Sequence, residues 1–358
     1  MTDQPRPDLP NHEGPSAHRV DEAVRRIGAR HGKRHVGLVI GAVSSAGARC
    51  VAPTGRLHAP NGPAAQADSI FEIGSVTKVF TALLLAEAVQ RGELALDTPV
   101  SQLLTEADMP ARDGVAISVE HLATHTAGLP NNPMSTPAAL RTQWKARDGD
   151  PWEAIDRAAL LTALARARLR SAPGTGRIAY SNLGAGVLGH ALVAAAGSRD
   201  YEELVQIRIC TPLGLPDTVL KPSRQQAKRE AVGHRARRRT TGPWQVAGLP
   251  GAGALRSTAN DMLTFLHAQL RPYETPIGPA IALTQQERRP GKRLGIGLGW
   301  LRVPLRRDEA MLWHNGGTGG FRSFAGFVPA AGVGAVALAN DLRSVDRAGR
   351  DILIALSG

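Results

Sequence analysis

Hydrophobic and polar residues follow two different periods along the chain, and each period predicts its own elements. Apolar residues at helical spacing predict helices near 18–31, in DRAALLTALARARL, in AGVLGHALVAAA and in the final VDRAGRDILIAL. The stretch FEIGSVTKVFTALLLAEAVQRGEL, residues 71–94, reads as one amphipathic helix with Ser75 and Lys78 in its first turn. This helix is expected to end at Arg91 and Gly92, because glycine suits the left-handed residue that follows a helix.

Strand patterns lie at both ends of the chain. They occur near 36–44, 49–56 and 69–73, and again in LGIGLGWLRV, EAMLWHNGG, FRSFAGFVP and VGAVALAN. The late strands are joined by short polar turns, so antiparallel pairing is the economical expectation. The sequence therefore predicts an α/β (α+β) fold in which helices flank one antiparallel sheet, assembled from both ends of the chain around an inserted helical region.

The order of these elements predicts how the chain is divided. Residues 1–17 are mostly polar and rich in proline, and we expect a disordered tail there. Segments 18–75 and 231–358 would form an α/β domain that contains the sheet. Residues 76–230 would form a mostly helical domain, with the active site at the interface between the two.

Composition and charge narrow the function classes. The chain has 358 residues, 42% of them hydrophobic and 21% charged, which suits one or two globular domains. Its formal net charge of +12 raises the possibility of a nucleic-acid partner. The densest basic run, GHRARRRTT, has no interleaved aromatic residue for base stacking, so we interpret it as a solvated surface and expect no nucleic-acid partner.

Export and membrane signals are weak. The amino terminus lacks the apolar core of a signal peptide, and no apolar run approaches the length of a membrane span. KRHVGLVIGAVSSAGARC could pass for a lipidated leader, but Arg49 before Cys50 argues against lipidation, and a buried strand fits equally well. Cys50 and Cys210 match no metal or redox spacing and are expected to be free thiols. We therefore expect a cytoplasmic protein.

Lys78 is unusual for its position. A helix start favours anions, and only six of the 43 basic residues are lysine. Unlike arginine, a buried lysine can have its pKa lowered until it exchanges protons. Ser75 stands three residues earlier, so on a helix both side chains would share one face. The alternative interpretation is an N-cap serine followed by a lysine whose amine reaches solvent.

Two further segments carry candidate chemistry. RIAYSNLGAG offers Tyr180, a phenol that neighbouring cations would deprotonate more easily, and Asn182, an amide donor and acceptor. A helix cap beside a packed aromatic ring would give the same pattern. WHNGGTGG has glycines that would let a substrate approach the backbone, although a flexible turn or a phosphate loop would also explain them. No complete nucleotide-binding motif accompanies it.

His121 and His125 are four residues apart and could face a zinc ion. The zinc-protease motif needs Glu directly after the first histidine, whereas here Glu120 precedes it. We therefore expect a structural loop after a short helix, and no metal or cofactor.

Taken together, SVTK, YSN and HNGG resemble the motifs of the serine β-lactamase-related superfamily, over roughly residues 20–355. The closer likeness is to class C β-lactamases, DD-peptidases and family VIII carboxylesterases, which implies the β-lactamase/transpeptidase-like fold. The resemblance also implies site roles. These are Ser75 as acylated nucleophile, Lys78 as proton shuttle, Tyr180 as general base, Asn182, His314 and Gly316 as substrate-binding residues, and the N–H groups of Ser75 and Gly317 as oxyanion hole.

One residue departs from the class C pattern. Those enzymes usually carry lysine where this chain has His314, which is similar to some DD-peptidases and esterases. A histidine uncharged near neutrality would hold a substrate carboxylate weakly, which argues against a dedicated β-lactamase. We expect a serine hydrolase acting on a small ester, amide or peptide-like substrate. An acyltransferase that uses an amine acceptor, and a silent binding protein of the same fold, stay open, and no motif marks the oligomeric state.

Overall fold

The computed structural model describes residues 14–133, 150–291, 293–305 and 309–358. Most of the predicted tail, residues 1–13, lies outside this part of the chain. Ser16 already caps the first helix, because its hydroxyl accepts a hydrogen bond from the N–H of Arg19 at 3.4 Å. The first helix therefore begins at Ala17, close to the predicted position.

Eleven strands were assigned within the described residues, and seven of them form one antiparallel sheet in the order β2-β1-β11-β10-β9-β8-β7. The other four form two small pairs, β3 with β6 and β4 with β5. The bounds are β1 Gly37–Ser44, β2 Arg49–Gly55, β3 Phe71–Glu72, β4 Gly233–His234, β5 Thr240–Thr241, β6 Arg256–Ser257, β7 Gly295–Ile296, β8 Leu301–Pro304, β9 Ala310–Gly317, β10 Arg322–Val328 and β11 Val333–Ala339.

The two ends of the chain meet in this sheet, as predicted. Strand β1 pairs antiparallel with β11, so that Val39 lies opposite Leu338. Both strands are buried along their whole length, which requires cover on both faces of the sheet. The antiparallel sheet assembled from both ends is confirmed.

Helices supply that cover. Their bounds are α1 Ala17–Gly32, α2 Thr77–Gln90, α3 Val119–Ala123, α4 Arg157–Ala165, α5 Asn182–Ala196, α6 Tyr201–Val205, α7 Thr211–Leu213, α8 Pro250–Gly253, α9 Ala259–Leu270, α10 Gly278–Gln285 and α11 Asp346–Ser357. Helices α1 and α11 pack on one face of the sheet and α9 packs on the other. A π-helical segment, Gln206–Cys210, connects α6 to α7.

Two predictions were wrong in detail. LGIGLGWLRV is not one strand, because the backbone turns between β7 and β8 at Gly299, where φ is +74°. The stretch 71–94 is not one amphipathic helix either. It contains β3, a 3-10 turn at Gly74–Val76 and then α2, in which every residue from 77 to 88 is buried. Helix α2 lacks a solvent face because α3, α5, α8 and α10 pack around it.

Cys50 and Cys210 are free thiols, as predicted. Within the described ranges, no helix is both long and apolar enough to traverse a lipid bilayer. The division into two domains stays a prediction.

Candidate active site

Ser75 lies where the 3-10 turn before α2 touches the end of β9. Gly74 has φ of +50°, and a Cβ atom there would lie only 2.8 Å from the amide nitrogen of Gly317. A side chain at Gly316 would collide with the carbonyl oxygen of Ile73. Glycine is therefore needed on both sides of this contact. This contact brings the backbone of the SVTK motif against the backbone of the HNGG motif.

Lys78 is buried one helical turn after Ser75. Its Nζ atom lies 3.0 Å from Ser75 Oγ, 2.9 Å from Asn182 Oδ1 and 2.6 Å from the carbonyl oxygen of Ala252. The amide oxygen and the carbonyl oxygen can only accept hydrogen bonds, whereas the serine hydroxyl can also donate one. A neutral lysine amine would therefore donate to Asn182 and Ala252 and direct its lone pair at the hydroxyl of Ser75.

Burial favours this neutral form. It lowers the pKa of Lys78 to about 7, because the ammonium group loses hydration and no described carboxylate forms an ion pair with it. A large fraction of the protein would thus carry an uncharged amine at neutral pH. This agrees with the interpretation of Lys78 as a proton-exchanging group and not as a surface cation.

Tyr180 also lies at this site. Its ring is 4.8 Å from Lys78 Nζ, and its hydroxyl lies close enough to the side chain of Ser75 for that residue to affect its pKa. The expectation that neighbouring cations lower the pKa of the phenol is wrong for the free protein. Burial raises the pKa of Tyr180, and the neighbouring Ser75 side chain offsets only part of that rise. Because Lys78 is itself inclined to be neutral, it provides little positive charge to stabilise a phenolate.

Asn182 is the first residue of α5, and Ser181 caps that helix by accepting from the N–H of Gly184 at 2.9 Å. The Asn182 amide nitrogen donates to the side-chain oxygens of Asn131 at 3.1 Å and Asn132 at 3.0 Å. These bonds fix the amide so that its oxygen faces Lys78. Sequence reasoning missed Asn131, Asn132 and the carbonyl of Ala252, because no periodic pattern marks residues of a loop or of a four-residue helix as neighbours of a distant helix.

His314 lies on β9 behind Tyr180, with 6.1 Å between the ring centres. Its Nδ1–H donates to the carbonyl oxygen of Asn315 at 2.7 Å, and its buried Nε2 has no partner within the described residues. Burial, together with the charge of Lys78, lowers the pKa of His314 to about 3. The histidine is therefore uncharged at neutral pH, as the sequence suggested, and Gly316 lies two residues further along the same strand.

The two histidines considered for zinc occupy structural positions. His121 Nδ1 accepts from the N–H of Ser118 at 3.2 Å and completes the cap of α3. His125 Nδ1 accepts from the N–H of Ser181 at 3.3 Å, and its ring lies 4.7 Å from that of Tyr180. No group of three or more His, Cys, Asp or Glu side chains in the described part of the chain could hold a metal ion.

A cavity of about 180 Å³ opens onto Ser75. Its lining includes the backbone of Gly317, whose N–H belongs to the predicted oxyanion hole, and the side chain of Asn182. The structure thus brings Ser75, Lys78, Tyr180 and Asn182 together in contact. His314 and Gly316 lie behind them and do not line the cavity.

Comparison with known proteins decides the family. The family model described as beta-lactamase matches residues 23–358. The chain belongs to the β-lactamase family. A β-lactamase of Pseudomonas fluorescens is 28% identical over 76% of this chain and 80% of its own length.

Other members of the β-lactamase family carry different activities in their names. The D-alanyl-D-alanine-carboxypeptidase/endopeptidase AmpH of Escherichia coli (strain K12) is 30% identical over 75% of this chain and 70% of its own length. Esterase EstB of Burkholderia gladioli is 36% identical over 42% of this chain and 38% of its own length. Membership of the β-lactamase family establishes the fold and places the chain in a superfamily of serine hydrolases. The names of these three relatives refer to three different substrate classes, which are peptides, β-lactams and esters.

Proposed function

We propose that this protein hydrolyses an ester or amide bond through a covalent acyl-enzyme intermediate on Ser75. The observation that carries the proposal is the contact between Ser75 Oγ and Lys78 Nζ at 3.0 Å, in surroundings that lower the pKa of the lysine to about 7. A serine hydroxyl needs a base to become a nucleophile at neutral pH, and a neutral amine at hydrogen-bond distance is such a base.

Acylation would proceed in balanced steps. Ser75 Oγ attacks the substrate carbonyl carbon while its proton passes to Lys78, and the oxyanion is bound by the N–H groups of Ser75 and Gly317. The bond to the leaving group then breaks, and the leaving group takes a proton through Tyr180, which Lys78 replenishes. Water attacks the acyl-enzyme in the same manner and releases the acid. Because burial keeps Tyr180 protonated, we assign the base role in the first step to Lys78.

Among the activities named in the family, uncharged esters suit this site best. His314 is neutral and stands where related β-lactamases usually have lysine, so it offers no positive charge to a substrate carboxylate. We therefore propose carboxylesterase activity with at most weak turnover of β-lactams. Product analysis with and without an added amine would separate hydrolysis from acyl transfer.

Labelling tests the nucleophile directly. A fluorophosphonate probe should label the wild-type protein and the exposed control variant Ser101→Ala, and Ser75→Ala should abolish both labelling and ester turnover. Intact mass spectrometry would locate the adduct. Labelling that persists in Ser75→Ala would place the nucleophile elsewhere and end the proposal.

A further inference from the structure

The cavity beside Ser75 has two aromatic walls. Trp152 and Trp244 meet edge to face with 6.4 Å between ring centres, and Val246 and Leu249 add apolar surface. At about 180 Å³ the space exceeds the roughly 150 Å³ of an apolar cavity known to hold benzene. Its volume therefore suits an apolar group of about one aromatic ring.

A single carboxylate joins the two walls. Asp150 Oδ1 accepts from the N–H of Trp152 at 2.9 Å, and Oδ2 accepts from the N–H groups of Gln245 at 2.6 Å and Val246 at 3.0 Å. Val246 has φ of +47°, an unfavourable conformation for a β-branched residue. The carboxylate thus helps to hold a strained segment at a fixed distance from Trp152.

A second carboxylate fixes the other tryptophan. The N–H of Trp244 donates to Glu72 Oε1 at 2.9 Å, and the same oxygen lies 3.9 Å from the guanidinium of Arg256. Glu72 and Arg256 are both buried. The cavity walls are therefore preformed by buried hydrogen bonds that backbone N–H groups donate to two separate acidic residues, which reduces the ordering cost of binding a ligand.

Charge is lacking at the walls. None of the described residues that line the cavity has a formally charged side chain, and the acidic residues behind it direct their oxygens at backbone N–H groups. A carboxylate entering this space would lose hydration and would meet no charged side chain among the residues that line it. An uncharged group would lose little hydration and would bury apolar surface against the two indole rings.

We propose that this cavity binds the acyl portion of the substrate and selects uncharged aryl or arylalkyl groups. We assign Asp150 as the residue that positions its two tryptophan walls. The inference rests on the proposed function, because it concerns the acyl group that Ser75 would receive.

The test compares p-nitrophenyl esters that share one leaving group. We expect kcat/KM for the phenylacetate to exceed that for the acetate by at least about tenfold, from burial of one ring. The hydrogen glutarate should fall at least about tenfold below its uncharged methyl ester, because of the buried carboxylate. Trp244→Ala should lower the ratio of phenylacetate to acetate kcat/KM toward one, and Trp244→Phe should restore that ratio.

Asp150→Asn tests the positioning role, with the exposed neighbour Glu153→Gln as matched control. The amide has only one acceptor oxygen, so part of the connection between the walls is lost. The ratio of phenylacetate to acetate kcat/KM should fall by about tenfold, while the control keeps the wild-type ratio. Equal loss on both esters would show a merely structural role and contradict the assignment.

The two levels of the proposal fail differently. If neither the esters nor the fluorophosphonate probe react at Ser75, the proposed function is wrong and this inference falls with it. If Ser75 is acylated but acetate, phenylacetate and hydrogen glutarate react with similar kcat/KM, the proposed function stands and this inference is overturned. Thermal melting of each variant identifies any that fail to fold. If Trp244→Ala fails, Trp244→Leu replaces it, because leucine fills more of the space but still removes the aromatic ring.

Discussion

Helices α2 and α11 differ in how much of their surface is buried. Helix α11 covers the outer face of the sheet with a single apolar stripe that includes Ile352 and Leu356, and Ile354 on its other side is 57% exposed. Helix α2 has no exposed stripe over residues 77–88, although it contains Thr77, Lys78, Thr81 and Glu87. Its polar residues are therefore enclosed with the apolar ones.

This difference determines whether a polar residue of each helix needs a hydrogen-bond partner within the protein. On α11 a polar side chain can satisfy itself with water, so it carries little information about partners. On α2 each polar group needs a protein partner, because a buried group without one costs free energy. Thr77 Oγ1 accepts from the N–H of Leu255 at 3.1 Å, and Glu87 pairs with Arg208 at 3.0 Å. The polar residues of a fully buried helix thus indicate where specific contacts are required, and Lys78 is the one that contacts Ser75.

Lys78→Arg should have the largest effect on activity. Arginine keeps a positive charge but is not deprotonated in proteins, so it cannot accept the proton of Ser75. We expect kcat/KM for an uncharged ester to fall by about 10³- to 10⁴-fold, the upper part of the range for general-base catalysis. In the wild type, kcat/KM should rise with pH through about 7 as Lys78 loses its proton, and this rise should vanish in the variant.

The control is Lys228→Arg, the same change at an exposed lysine, which should leave the rate and its pH profile unchanged. Lys78 would not be the base if Lys78→Arg kept a kcat/KM close to that of the wild type. The same would follow if the wild-type kcat/KM did not change between pH 6 and 8. Melting curves should be recorded for both variants, because a bulkier guanidinium at a buried position can also destabilise the fold.

Packing on the two helices should differ in the same direction. Leu83 on α2 is 1% exposed, so Leu83→Ala should lower the free energy of unfolding by about 2–5 kcal/mol. Ile354→Ala on α11 should change it by less than about 0.5 kcal/mol, because that side chain already contacts water. Denaturant unfolding measures both. Similar losses in the two variants would mean that α2 is less enclosed than the structure shows.

The sequence predicted α11 better than α2 for the same physical reason. An amphipathic stripe is a contrast between two environments that one helix faces, so it is visible in a single sequence. In α2 the run from Val79 to Ala86 is predicted to have a solvent face that the structure lacks, because single-sequence periodicity does not reveal that several other helices enclose this helix. Burial on all sides depends on segments far away in the chain.

The candidate site shows a similar division. Ser75, Lys78, Tyr180 and Asn182 could be found because their chemical groups recur as motifs, and the structure places them together. The direction of the Tyr180 pKa could not be predicted, since it depends on how completely the ring is buried. The hydrogen bonds that Asp150 accepts from the N–H groups of Trp152 and Gln245 could not be predicted either. Hydrogen bonds from backbone N–H groups to a loop carboxylate leave no periodic pattern in the sequence.

Thr81→Val is the smallest chemical change proposed for the buried helix α2, since it only replaces a hydroxyl by a methyl group. Thr81 Oγ1 donates to the carbonyl oxygen of Gly251 and accepts from Tyr201, each at 2.7 Å, so valine would leave both partners unpaired. We expect a loss of about 1–3 kcal/mol in the free energy of unfolding. Thr162→Val, on the exposed side of α4, should cost less than about 0.5 kcal/mol.

A double-mutant cycle with Tyr201→Phe then isolates the contact between the two hydroxyl groups. If each buried polar group of α2 depends on its own partner, the two changes together should cost less than the sum of the single changes, because the second removes a group that the first left unpaired. Strict additivity would show that Thr81 and Tyr201 are satisfied independently. In that case the contrast with α11 would apply to the contacts of Lys78 but not to the polar residues of α2 in general.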